Sequence, residues 1–220
     1  MSTRSQAIAA TVCGAGIILG VASAPPAFAD DSASRSSSFV SQSCISQVEA
    51  ISRQKGIRAD TATSLCTGTI TTTETEPRVA TSAEMGAYAE ENNLSDAATD
   101  ELLLAALQGE ITYRDWTHSY WGGSLLEKHA GRTFWDGSNA WIATYRGLTG
   151  ANVCHSEGGI AVGWAVTPLE CSSPGAGTNA DAYYRFDASV AFEGSPVTLD
   201  IGLHYSTNAT GDVSTWQVGG

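Results

Sequence analysis

The chain reads as an α+β protein: a helical N-terminal region followed by an antiparallel β-sandwich, braced by two disulfides. Three observations carry this expectation. The last stretch, Ala182 to Val218, alternates apolar and polar side chains with a period of two, as three consecutive strands would. The N-terminal half instead carries apolar residues at helical spacing, bounded by capping residues. An even set of four cysteines is left once an N-terminal export signal is set aside.

Residues 1–29 have the composition of a signal peptide. Arg4 supplies the positive start, Ala7 to Ala24 is a run of apolar and small residues, and Ala27-Phe28-Ala29 is an A-x-A cleavage site that leaves Asp30 as the first mature residue. The run is too short and too rich in Gly and Ala for an anchor, which needs about 20 strongly apolar residues. The expectation is a secreted, extracellular protein with no membrane association after cleavage. Net charge is -12, and removing Arg4 makes it one unit more negative. Such a chain repels phosphate backbones and anionic lipid, so nucleic acid is not an expected partner. A cationic partner surface is easier to accommodate.

Cys13 leaves with the signal, and Cys44, Cys66, Cys154 and Cys171 remain. Four cysteines allow three pairings. Cys44–Cys66 and Cys154–Cys171 are preferred because each is local to one half of the chain, and each loop closure is worth about 3 kcal/mol. No C-x-x-C occurs and Cys154-His155 lacks a second ligand pair, so neither a metal nor a cofactor is expected.

Residues 30–38 are Ser-rich and read as a mobile tail. Over 39–66 the expectation is a helical, disulfide-linked segment. Val40, Cys44, Val48 and Ile51 share one helical face, Arg53 and Lys55 suit the C-terminal end of the dipole, and Gly56 is a natural cap. The Thr-rich tract of 67–80 reads as a linker. Its β propensity also fits a strand that adds to an exposed sheet edge, in this protein or in a partner. Residues 81–110 read as a helical hairpin. Thr81-x-x-Glu84 is a capping box, Ser95 opens the second helix, its apolar face is Leu102, Leu103, Ala106 and Leu107, and Gly109 ends it.

Residues 111–220 read as the antiparallel β domain. Arg132 to Arg146 fits a hairpin about the turn Asp136 to Asn139, and Ile160 to Val166 reads as one strand with a large and a small face. The C-terminal meander follows, with Tyr184, Phe186, Ala188, Val190 and Phe192, then Val197, Leu199, Ile201, Leu203 and Tyr205, on one side of the alternation.

No nucleophile signature stands out: there is no G-x-S-x-G and no H-E-x-x-H. Ser52-Arg53-Gln54-Lys55 is an S-x-x-K at a polar helix end with no partner motif. His204 and Asp200 share a strand face and so form a possible general-base pair, weighed against a solvated face. His155, between Cys154 and Glu157, reads first as a loop beside a disulfide. Asp115, Glu127, Asp136, Glu157, Asp181 and Asp187 offer many carboxylate pairs of the sort a glycosidase uses, without singling one out. Catalytic residues are therefore not assigned. All six tryptophans lie in the β half. Trp141, Trp164 and Trp216 sit in alternating strands and read as core. Trp116, Tyr120, Trp121 and Trp135 mix ring faces with polar neighbours, and they are the expected binding residues, for a protein or a sugar.

In composition the chain resembles small exported bacterial proteins of the Gram-positive type, and no motif assigns a family. The functional expectation is a secreted, non-catalytic protein-binding module whose partner is another secreted protein. One form is an adaptor or accessory subunit of an extracellular assembly, such as an antibacterial toxin particle, docking through its N-terminal segment. Another is a protease inhibitor presenting the loop Ser172 to Asn179. The alternative is a secreted protein that binds or hydrolyses polysaccharide.

Overall fold

The computed structural model describes residues 33–58, 63–155 and 159–219. The expected signal segment, 1–29, and the first residues of the expected tail lie outside them. The elements run β1 (Ala33–Val40), α1 (Gln42–Lys55), a 3-10 turn (Thr63–Cys66), β2 (Thr67–Glu74), β3 (Arg78–Val79), α2 (Ser82–Glu91), α3 (Asp96–Leu107), β4 (Thr112–Gly122), β5 (Leu125–Trp135), β6 (Ala140–Trp141), β7 (Ala151–Cys154), β8 (Ile160–Ala161), β9 (Trp164–Ser172), β10 (Asn179–Phe192), β11 (Ser195–Asn208) and β12 (Val213–Val218). They form two antiparallel sheets. The first has the order β1-β2-β4-β5, with β6, β7 and β8 laid end to end along β5 and β3 on β4; the second has the order β12-β11-β10-β9.

The second sheet is the one the C-terminal alternation implies. Tyr184, Phe186 and Ala188 of β10, with Val197, Leu199, Ile201, Leu203 and Tyr205 of β11, are fully buried. All but Tyr205 pack in one cluster with Phe39, Ile70, Tyr120 and Leu125 on the inner face of the first sheet. Farther along the interface Trp116 stacks on Tyr205, centroids 4.2 Å apart. Trp116 can lie flat there because residue 131 is glycine: a Cβ would sit 2.4 Å from its ring and 2.1 Å from the Ala151 carbonyl oxygen.

The N-terminal half corrects the expectation of a helical region attached to a β domain. Ala33–Val40 is not a tail but an edge strand, paired along its whole length with β2. The Thr-rich tract is not a linker either. It pairs with β1 on one side and β4 on the other, so it adds to this protein's own sheet. Parity explains the difference: Ile70, Thr72 and Glu74 face inward while Thr69, Thr71 and Thr73 face out, and β-branched threonines suit that half-buried position. Glu74 is held by Arg35 and Arg114 together, closing that end of the interior with a charge-assisted network.

Helix α1 behaves as its sequence implies. Ser41 caps its first turn, and Gly56 ends it in the left-handed conformation with φ 67°. It bridges the sheets. Cys44 bonds Cys66 at the foot of β2, and the Gln47 side-chain amide clamps both backbone groups of Thr198 on β11 at 3.0 Å each. The second disulfide, Cys154–Cys171, joins β7 of one sheet to β9 of the other. Both bridges match the expected pairing. The hairpin α2/α3, with the capping box Thr81–Glu84 formed, covers Tyr113 and Phe134 on the outside of the first sheet. The expected single strand Ile160 to Val166 is instead broken at Val162-Gly163, where φ is 80° at the glycine and the chain crosses between sheets.

Replacing Gln47 by Ala strands two edge groups of Thr198, and it is expected to lower unfolding free energy by about 1–3 kcal/mol in urea titration. Removing the inter-sheet bridge as Cys154→Ala/Cys171→Ala is expected to cost about 3 kcal/mol, read the same way under non-reducing conditions.

Candidate functional site

Strand parity sorts the expected binding rings. Trp116, Tyr120 and Trp135 point inward and are buried, at 3%, 0% and 7% exposure. Trp116 donates its indole N–H to Thr133 Oγ1 at 2.9 Å, and Tyr120 packs edge-on to Phe39. These three are core residues, a correction to the binding assignment. Trp121 is one residue out of phase with Tyr120, so it faces outward at 49% exposure. Trp141 and Trp164 are core as expected. Trp216 is not: it stands on the outer face of the edge strand β12 with 40% exposure. The alternation within Tyr113–Gly122 contained the signal for the first sorting. The register of β12 against β11, Trp216 opposite His204, decided the second.

On the outer face of the second sheet the rings form a ladder. Tyr183, His204 and Trp216 are direct cross-strand partners on β10, β11 and β12. Tyr183 stacks on His204 at 4.2 Å, and His204 on Trp216 at 4.4 Å with only 10° between planes. His204 Nδ1 lies 2.9 Å from Asp181 Oδ2, which orients the imidazole. The expected partner, Asp200, is taken instead by a two-point bond to Arg185 at 2.9 and 2.6 Å, which holds its carboxyl below the usual range. The ladder's inner ring faces are occupied by one another, and the outward face of Trp216 has no neighbouring strand.

The interior holds a second group of titratable side chains. His118 and His129 are cross-strand neighbours on β4 and β5, buried at 1% and 0% exposure. His118 bonds Thr72 Oγ1 at 2.7 Å and His129 bonds Asn152 Oδ1 at 2.6 Å. Burial pushes His118 down to about 3, helped by the neighbouring His129. It pushes His129 down to about 4 against its bond to Asn152. Glu127, also buried, has its Oε1 2.6 Å from His155 Nδ1 and accepts from the Tyr184 hydroxyl at 3.0 Å. His155 therefore meets Glu127, not a cysteine; Glu157 lies outside the described residues. Burial and the adjacent Glu127 raise the Tyr184 hydroxyl well above its ordinary value.

The remaining expected chemistry disperses. Asp115 is bonded at two points by Arg132, and Asp136 caps its own turn through Ser138 and Asn139. Ser52 is buried on α1, with Lys55 exposed at its end. Trp116, Trp121 and Trp135 share no cleft, so the arrangement expected of a polysaccharide hydrolase, those rings over paired acids, is not what the chain builds. The loop Ser172 to Asn179 is pinned by Gly177 to Ala140 at 2.7 and 3.1 Å and by Thr178 to Ala209 at 2.9 Å. Among the described residues no three metal-ligating side chains gather at one point, and no helix is long and apolar enough to cross a membrane.

The sheet edges differ in how they are guarded. β9 carries Pro168, an extra residue at Leu169 that breaks its register with β10, and the disulfide to β7. β1 and β12 end the two strand orders and have no such device. β1 contains one charge, Arg35, which turns in to Glu74. β12, Val213 to Val218, contains no charge and no proline.

Compared with known proteins, the chain matches no family model, no curated protein and no solved structure.

The buried histidines make a pH dependence. Their folded pKa values lie below the unfolded value near 6.5, so the unfolded chain binds more protons below that pH. Their contribution is complete above about pH 6.5 and falls by about 1.4 kcal/mol per pH unit per histidine as pH drops towards 4. His129→Gln is expected to reduce the slope of urea-derived stability between about pH 6 and 4.5 by about that amount.

Proposed function

We propose that the protein is a secreted, non-catalytic protein-binding module that takes a strand of its partner onto an open sheet edge. The observation that supports this reading is the contrast between the guarded β9 and the unguarded β1 and β12. An edge strand presents a row of free N–H and C=O groups, and proteins that do not use such an edge blunt it with charge, proline or a bulge. Strand addition draws affinity from those backbone groups and specificity from alternate side chains. The N-terminal segment is not the docking arm in this reading, because β1, α1 and β2 are built into the fold. The acidic balance of the chain favours a basic partner, as an adaptor within an extracellular assembly would meet.

The test uses proline at positions whose N–H points off the edge. Ser41 bonds Cys66 across the β1/β2 end, so Ser36 faces the other way. By the same alternation Thr215 faces away from β11. Mature protein added to culture supernatant is expected to retain a partner identified by mass spectrometry, and Ser36→Pro or Thr215→Pro is expected to lose it while the fold persists. Retention by both variants would exclude strand addition. No partner for the intact protein would exclude the binding reading.

One observation favours the carbohydrate alternative. Ser34, Ser36 and Ser38 of β1 and Thr69, Thr71 and Thr73 of β2 place neutral hydroxyls side by side on one outer face, and Trp121 stands at the end of the same field opposite Thr69. A ring face beside uncharged hydroxyl groups suits a neutral sugar. If that face binds polysaccharide, Trp121→Ala is expected to abolish retention on insoluble glycans in a pull-down, with circular dichroism unchanged.

A further inference from the structure

We propose that the β12 edge recognises a partner strand carrying an arginine opposite Trp216, which adds the next rung to the ladder Tyr183–His204–Trp216. The proposal rests on the strand-addition reading and names the side chain that gives this edge its specificity.

Register is the first argument. Each ring of the ladder is the direct Cα partner of the next, and each strand step continues the stack. The stack stops at β12 because the sheet stops there. A strand added to β12 places one residue directly opposite Trp216, and that side chain meets the open ring face.

Backbone alternation is the second. Thr198 turns its N–H and C=O away from β10, onto Gln47. His204 has the same parity, so it directs its backbone groups at Trp216, and those two form the hydrogen-bonded pair. On its other side Trp216 then forms a non-hydrogen-bonded pair with any strand added antiparallel. That pairing has the shorter Cα separation, about 4.5 Å, and brings side chains closest. The free backbone groups that hold the strand are those of Val213, Thr215 and Gln217.

Charge is the third. From Glu193 to the C-terminus the chain contains no lysine or arginine, while Asp200 and Asp212 lie on or beside β11 and β12. The Asp200 carboxylate is already bound to Arg185, and Asp181 to His204. The local balance is negative, on a chain of net charge -12. A guanidinium is planar, stacks on indole, and carries the complementary charge; tryptophan is the best aromatic acceptor of a cation.

The experiment titrates two peptides into the 15N-labelled mature protein, acetyl-Thr-Val-Thr-Arg-Thr-Val-Thr-amide and its twin with glutamine for arginine, and follows the Trp216 indole N–H by NMR. The arginine peptide is expected to shift that resonance and to bind about tenfold more tightly than the glutamine peptide. The preference is expected to disappear in Trp216→Leu and to survive in part in Trp216→Phe, which keeps a ring. Thr215→Pro is expected to weaken both peptides. Equal binding of both peptides, lost in Thr215→Pro, would overturn the arginine rung and leave strand addition standing. No binding of either peptide at millimolar concentration would also overturn the proposal, and the pull-down with the proline variants then decides separately whether either edge takes a strand.

Discussion

The structure depends on covering one apolar surface, the inner face of the β10–β11 hairpin. Eight of its side chains, from Tyr184 to Tyr205, lose all contact with water. At roughly 1.5–3 kcal/mol for each large apolar side chain buried, this surface is a major source of the fold's stability. The sheet that covers it is not purely apolar. Its inner face brings His118, His129, Glu127, Thr72 and Thr133 into the interior. Each of these side chains makes at least one hydrogen bond there, from Thr72–His118 to Tyr184–Glu127, although His118 Nε2 and His129 Nδ1 have no partner. The polar interior is thus a consequence of asking a mixed sheet to cover an apolar one.

The same constraint explains why the N-terminal half cannot stand apart. The four strands of the second sheet need a surface of similar width opposite them, and β4 and β5 alone do not supply it. The chain recruits β2 and β1 to widen the sheet, and lays α1 against the length of β11 that β12 leaves uncovered. Gln47 acts there as a substitute for a strand, giving Thr198 one donor and one acceptor. Cys44–Cys66 ties that helix to the first sheet, while Cys154–Cys171 closes the opposite flank. One flank is covalently sealed. The other ends in β1, whose one charge, Arg35, is paired with Glu74, and in β12, which carries neither charge nor proline, and the functional reading follows from this asymmetry.

Much of this was legible in the sequence where the signal is local. The β10–β11–β12 meander, the capping box of α2, the C-terminal cap of α1 and both disulfides rest on short-range patterns of parity, capping chemistry and loop size. The failures share a cause as well. Ser34 to Ser38 lacks any large apolar residue before Phe39, so nothing local marks it as a strand, and β2 alternates among side chains that are nearly all threonine. Trp116 and Trp121 are five residues apart and fall on opposite faces. A reading based on ring density grouped them, whereas parity counted from His118 would have separated them.

By itself, the sequence determined the three strands of the C-terminal meander, which side of the β10–β11 hairpin is buried, the cysteine pairing, and the acidic balance of the chain. Those properties depend on neighbours within a few residues or on composition. Only the tertiary structure decided that residues 33–40 and 67–74 join the first sheet, that His204 pairs with Asp181 rather than Asp200, and that Trp216 faces solvent while Trp116 does not. Each of these is set by register between strands far apart in the chain, and a shift of one residue in register turns every side chain to the other face. Pattern within a segment carries no information about that register; the partner strand supplies it.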